Sequence, residues 1–127
     1  MAHAGITVEL SLPAELTVQA DAERMRRVFE NLLVNAIQAM PKGGAIAIRA
    51  ATRGGHLRVD VIDSGPGVPA QIRERLFEPF ISHGKQGGTG LGLAIARGIV
   101  EAHGGSIGLE HTTEQGADFY LELPLDG

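Results

Sequence analysis

The chain has 127 residues, 43% hydrophobic and 20% charged, which suits one domain (1–127) with a core of its own. It has four Phe, one Tyr and no Trp, so aliphatic side chains must fill that core, and the lack of cysteine excludes a disulfide framework or a thiolate metal site. A net charge of −4 without a basic block argues against nucleic acid as a partner. No apolar run approaches the roughly 20 residues that span a bilayer, and nothing at the N-terminus reads as a signal peptide. A cytoplasmic domain with no membrane contact of its own is therefore expected.

In chain order, Ile6, Val8 and Leu10 alternate with polar neighbours, predicting a half-buried strand over 6–12 that Pro13 ends. A short second strand is expected at 17–19. Asp21 suits a helix N-cap, and Met25, Val28, Phe29, Leu32, Leu33, Ala36, Ile37 and Met40 then form one apolar stripe. Asn31 and Asn35 border that stripe, four residues apart, so both amides project from one flank. Asn is a middling-to-poor helix former, and the pair has two readings. The amides bond a neighbouring loop, or their carbonyl oxygens serve a hard cation such as Mg²⁺.

A turn at 41–44 leads to strands over 45–51 and 57–63, joined by Arg53-Gly54-Gly55. The second strand ends in Asp63 and runs into Ser64-Gly65-Pro66-Gly67-Val68. A carboxylate followed by glycines suits a flat base with an exocyclic amine; an Asp-led turn is the plainer alternative. Residues 70–76 predict a short helix, followed by Phe77, Phe80 and an aperiodic stretch containing Lys85, read as a gating loop or a plain surface loop. Residues 87–92 hold four glycines and open a helix that is apolar nearly all round, read as buried, with His103 and Gly104-Gly105 closing it. Glycines at a helix mouth admit phosphate to backbone N–H groups, or simply make a turn, and alone the two readings are even. Strands over 106–111 and 118–124 complete the chain. His3, His56, His83 and His111 show no metal-ligand spacing.

In this order NLLVNAIQAM, DSGPGV, LFEPF and GTGLGL resemble the N box, first glycine box, F box and second glycine box of the ATP-binding catalytic domain of sensor histidine kinases. The resemblance covers about residues 16–124, and NAIQAMPKGG is most similar to the nitrogen-regulation type. It implies the Bergerat (GHKL) fold shared with DNA gyrase, the large ATP-dependent chaperones and the mismatch-repair ATPases. That fold is a two-layer α/β sandwich with a mixed, mostly antiparallel sheet and about three helices on one face.

Carried onto these positions, the resemblance makes Asn35 the Mg²⁺ ligand with Asn31 beside it, and Asp63 the reader of the adenine amine. Gly65, Gly67 and Val68 would shape the base pocket. Residues 77–87 would form a lid anchored by Phe77 and Phe80 and carrying Lys85. Gly88, Thr89, Gly90, Leu91, Gly92 and Leu93 would line the triphosphate. Two departures bear on the site. Ser82-His83-Gly84 precede Lys85 where a Thr-Thr pair is usual, and Ala117 stands where many relatives carry a hydroxyl.

The implied activity is presentation of the ATP γ-phosphate to a histidine on a phosphoacceptor/dimerisation domain, with a response regulator downstream. No phosphoacceptor histidine or dimerisation helix pair is seen, so the catalytic base, if one is used, is expected on that other domain. The parent kinase is then free to be membrane-anchored. An ATP-hydrolysing switch is the first alternative, but its water-activating glutamate would fall at Asn31, and Glu30 points about 100° away round the helix. A free-standing anti-sigma-factor-like serine kinase and a non-enzymatic nucleotide sensor rank lower.

Overall fold

The computed structural model describes residues 6–11, 22–79 and 91–124. Its elements are β1 (Ile6–Ser11), α1 (Ala22–Gln38), β2 (Gly44–Arg53), β3 (His56–Asp63), a 3₁₀ turn (Ala70–Arg75), α2 (Gly92–Ala102), β4 (Ser106–Thr113) and β5 (Gly116–Pro124). The five strands form one sheet in the order β1-β2-β3-β5-β4. β1 runs parallel to β2, and every other pairing is antiparallel, so the expected mixed, mostly antiparallel sheet is what forms.

Alternation decides which face is covered. Leu57, Val59 and Val61 on β3 and Phe119, Leu121 and Leu123 on β5 are all buried, at every second position. They share one core with Met25, Val28, Leu32 and Ala36 of α1 and Leu93, Ala96 and Val100 of α2. Both helices therefore lie on the same side of the sheet. The stripe read from sequence is the face of α1 that enters this core, except at Ile37, which the structure leaves 44% exposed.

Three expectations need adjusting. Residues 70–75 are 3₁₀ rather than α-helix, because none of the six is buried and no side chain caps the start, so nothing sustains a longer helix. α2 is not buried all round. Arg97, Gly98, Glu101 and Ala102 are exposed, and Arg97 pairs with Glu101 at 3.0 Å. Its Ala and Gly positions made the sequence look apolar without giving side chains large enough to demand burial. Strands β2 and β4 also run two residues past their expected ends, and β5 starts two residues early. The strand expected at 17–19 and the Asp21 cap lie outside the described residues.

The opposite face of the sheet carries charge. Arg58 forks onto Asp60 at 3.0 and 3.1 Å, reaches Glu110 at 2.9 Å and lies over the Tyr120 ring at 4.4 Å. Asp118, one strand over, has a shielded Oδ1 with no hydrogen-bond partner. The Asp60 hydrogen bond, chiefly, raises Arg58 above its ordinary range, against partial burial. Burial works on Asp60 in the upward direction, but hydrogen bonds from Arg58 and Asp118 outweigh it and hold Asp60 low. Burial first, and then the hydrogen bond and charge of Asp60, push Asp118 up to about 7. The folded chain thus keeps a proton that the unfolded chain releases near 3.8. Between these values the unfolded state binds fewer protons, so this contribution to stability falls as pH rises and levels off above the upper one. Urea unfolding from pH 4 to 8 should show that decline, and Asp118→Asn should flatten it. Equal slopes in the two proteins would exclude the assignment.

Candidate functional site

Among the described residues, two polar side chains are buried, Asn35 and Asp63 at 5% and 4% exposure. Their positions follow from the packing just described. Asn35 lies on the flank of α1 next to the stripe, so seating Leu32 and Ala36 in the core carries its amide inward too. Asp63 is the last residue of β3 on the core-facing register of Val59 and Val61, and so turns its carboxylate under α1.

Asn31, one turn earlier, is half-buried, and its Nδ2 is shielded from solvent without a hydrogen-bond partner. A buried polar atom left unpaired costs about 1–3 kcal/mol, which makes this amide one that a bound group would satisfy. α2 begins directly against it. A Cβ placed on Gly92 would lie 3.9 Å from Asn31 Cβ and Cγ. Leu91, the N-cap of α2, makes no side-chain capping bond. The N-terminus of α2, with its favourable dipole for anions, therefore lies beside Asn31. Leu93 points into the core, so it can offer only backbone to this site.

The other end of the site is the loop after β3. Asp63 Oδ1 accepts the Gly65 N–H at 2.9 Å, and a Cβ on Gly65 would lie 2.9 Å from the Ala39 carbonyl oxygen and 3.2 Å from Met40 Cγ. Glycine is therefore what lets the loop pass between the carboxylate and the end of α1. Gly67 has φ +84°, and a Cβ there would fall 1.9 Å from the Thr113 carbonyl oxygen. Val68 is buried, its N–H donates to Thr112 Oγ1 at 2.9 Å and its carbonyl accepts from Arg73 Nε at 3.0 Å. Ser64 Oγ accepts the Ala45 N–H at 2.9 Å, tying the loop's start to β2. Beyond Gly65, residues Ala39 to Gly43, Ser64 to Pro66 and Glu114 line an open groove of about 360 Å³.

Of the positions expected from sequence, Asn31, Asn35, Asp63, Gly65, Gly67, Val68, Leu91, Gly92 and Leu93 are described. Asp63 and Gly65 meet the end of α1, and Gly92 meets Asn31, whereas Gly67 and Val68 rest on Thr113 and Thr112 of β4 and Leu93 lies in the core. Phe80, Lys85, Gly88, Thr89 and Gly90 lie outside the described residues. Phe77 is half-buried and meets Phe119 edge-on at 6.3 Å, a contact that joins it to the core. His103 Nδ1 donates to the Ile99 carbonyl at 2.8 Å, consistent with its capping role. No group of three His, Cys, Asp or Glu side chains able to hold a metal occurs among the described residues. Any cation here would rest on amide and ligand oxygens, a donor set that fits Mg²⁺ bound through a substrate's phosphates. Thr112 and Arg73 were not foreseen. Neither has a local sequence signal, because their partners depend on strand register and loop course.

Residues 20–127 match the family described as histidine kinase-, DNA gyrase B- and HSP90-like ATPase. The chain is 39% identical over 122 residues to the alginate biosynthesis sensor protein KinB of Pseudomonas aeruginosa, covering 94% of this chain and 20% of KinB. It is similar to the nucleotide-free catalytic domain of histidine kinase ThkA, with 39% identity and a TM-score of 0.81 over 95% of this chain and 78% of that one. ThkA is also known in complex with the response regulator protein TrrA, where the TM-score is 0.77 at 36% identity, over 95% of this chain and 34% of that one. Full-length ShkA in complex with AMPPNP matches with a TM-score of 0.83 and 35% identity, over 96% of this chain and 26% of that one. The chain thus spans only about a fifth of KinB and a quarter of ShkA.

Proposed function

The chain belongs to the histidine kinase-, DNA gyrase B- and HSP90-like ATPase family, as a sensor histidine kinase catalytic domain, and from that premise we propose that it binds ATP with Mg²⁺ along α1. It then offers the γ-phosphate to a histidine on a phosphoacceptor/dimerisation domain, whose product feeds a response regulator. The carrying observation is that the two polar side chains buried among the described residues are Asn35 of α1 and Asp63 at the end of β3, whose loop passes against the end of α1 at Ala39. ThkA with its response regulator and ShkA with AMPPNP support the same partners and nucleotide.

In this reading the Asp63 carboxylate accepts a hydrogen from the adenine amine, oriented by the Gly65 N–H that it already binds. Gly65 and Gly67 keep side chains out of the plane the ring must enter. The shielded Asn31 amide meets phosphate, and Asn35 turns its side-chain oxygen to the metal. The chemistry supplied by Mg²⁺ when bound is neutralisation of charge on the phosphate oxygens. First-turn N–H groups of α2, Gly92 and Leu93 among them, face the anionic chain. Positioning and charge neutralisation account for most of phosphoryl transfer, so a domain with no base of its own can still present the phosphate.

Hydrolysis by the domain itself is disfavoured by a specific arrangement. Asn31 occupies the place of a water-activating carboxylate and cannot take a proton. Glu30 is exposed on the outer side of α1, paired with Arg26 at 2.9 Å. Calorimetry with ATP should show binding strengthened by Mg²⁺, and Asn35→Ala should lose about tenfold in affinity together with most of the Mg²⁺ increment. Undiminished binding in that variant would remove the metal assignment. Mixed with a phosphoacceptor helix pair and labelled ATP, the domain should place acid-labile label on histidine; steady phosphate release by the domain alone would favour the ATPase reading.

A further inference from the structure

We propose that Thr112 is a positioning residue for base recognition, acting through the loop that follows Asp63. The inference rests on the reading of Asp63 as the group that meets the base. Thr112 Oγ1 accepts the Val68 N–H at 2.9 Å and donates to the Gly116 carbonyl at 3.3 Å. One hydroxyl thus joins the loop after β3 to the first residue of β5. The register places it close to the carboxylate: Thr112 pairs with Ala117, and Ala117 pairs with Asp63 on its other side. The three residues form one rung across β4, β5 and β3.

The backbone packs without slack around this rung. A Cβ on Gly67 would come 1.9 Å from the Thr113 carbonyl oxygen, and one on Gly116 would come 2.2 Å from the Asp63 carbonyl oxygen. The base loop therefore rests directly on the β4–β5 turn, and the hydroxyl of Thr112 latches it there. Val68 is held independently by its buried side chain and by Arg73 Nε on its carbonyl. Removing the hydroxyl leaves Val68 attached to the core. What it releases is the fixed end of the Gly65–Gly67 backbone, the part that shapes the space in front of Asp63. The effect should fall on discrimination between bases, with little effect on folding.

The test uses the full chain, wild type and Thr112→Val, Thr112→Ala and Thr112→Ser, with ATP, GTP and inorganic triphosphate as probes in calorimetry. Valine keeps the shape and loses both hydrogen bonds; serine keeps both. Thr112→Val should lose about tenfold in ATP affinity, narrowing the ATP-to-GTP ratio, with triphosphate binding unchanged, consistent with one lost positioning bond. Thr112→Ser should stay within about twofold of wild type, the expectation for a retained hydroxyl. Thr112→Ala must reproduce the valine result, and it decides the matter if the valine variant does not fold. An unchanged ATP-to-GTP ratio in the valine and alanine variants overturns the proposal, as does equal loss of ATP and triphosphate. A wild-type chain indifferent to base identity overturns the reading of Asp63 itself and this inference with it.

Discussion

Asp63→Asn should weaken ATP binding about a hundredfold while leaving the fold intact, as judged by circular dichroism and calorimetry. The magnitude follows from where the side chain sits. At 4% exposure the carboxylate has no bulk water to fall back on, and a carboxylate can only accept hydrogen bonds. An asparagine could still take the Gly65 N–H on its oxygen, because that bond needs only an acceptor. Its NH₂ would then face the exocyclic amine of adenine, donor against donor, in a site with nowhere to redirect either. A nucleotide with a carbonyl at that ring position should lose far less, or gain, so the ATP-to-GTP preference should narrow or reverse. Undiminished ATP affinity in Asp63→Asn would remove the base-reading role.

The second large effect concerns stability. Gly67→Ala should destabilise the fold by about 3 kcal/mol, lowering the midpoint of thermal unfolding by roughly 10 °C. Two costs act together. The backbone at Gly67 is at φ +84°, where an L side chain is strained, and the added Cβ would fall 1.9 Å from a backbone carbonyl oxygen. No side-chain rotation relieves either, so the loop or the β4–β5 turn must move. Gly98→Ala offers the internal contrast. That glycine lies in α2 with nothing within 4 Å of its would-be Cβ, so alanine there should stabilise by about 0.5–1 kcal/mol. Similar midpoints for the two variants would contradict this account of Gly67.

What could be read in advance follows from the range of each interaction. The α1 stripe, the β2–β3 hairpin and the alternation in β3 are local patterns, and each corresponds to an element. Asn35 and Asp63 were visible for the same reason: one sits on the edge of a helical stripe, the other at the end of an alternating strand. A mixed sheet was expected from the resemblance, but not that its parallel pair would be β1 with β2, since no local pattern encodes a partner reached through a helix. Arg58 and Asp60, two apart on β3, lie on one face by period alone. Their meeting with Asp118 depends on the β3–β5 register, where Ile62 is opposite Asp118. Thr112 was hidden more deeply still, because its donor, Val68, is 44 residues away and its acceptor is a backbone oxygen. The 3₁₀ segment was read as a helix because turn-length periodicity cannot reveal that no residue in it is buried.

The course of α1 has a consequence for size selection. Asn31 meets the first residue of α2, whereas the carbonyl of Ala39 meets Gly65. Eight residues separate them, about 12 Å along a helix axis at 1.5 Å per residue. Under the function proposed above, the helix is a ruler with one end graduated for an anion and the other for a base. A nucleoside alone should engage one mark and pyrophosphate the other, and only a molecule long enough to touch both should bind as a unit. Adding a single residue between the marks would turn one end about 100° relative to the other, so the length of this helix segment is itself part of the recognition.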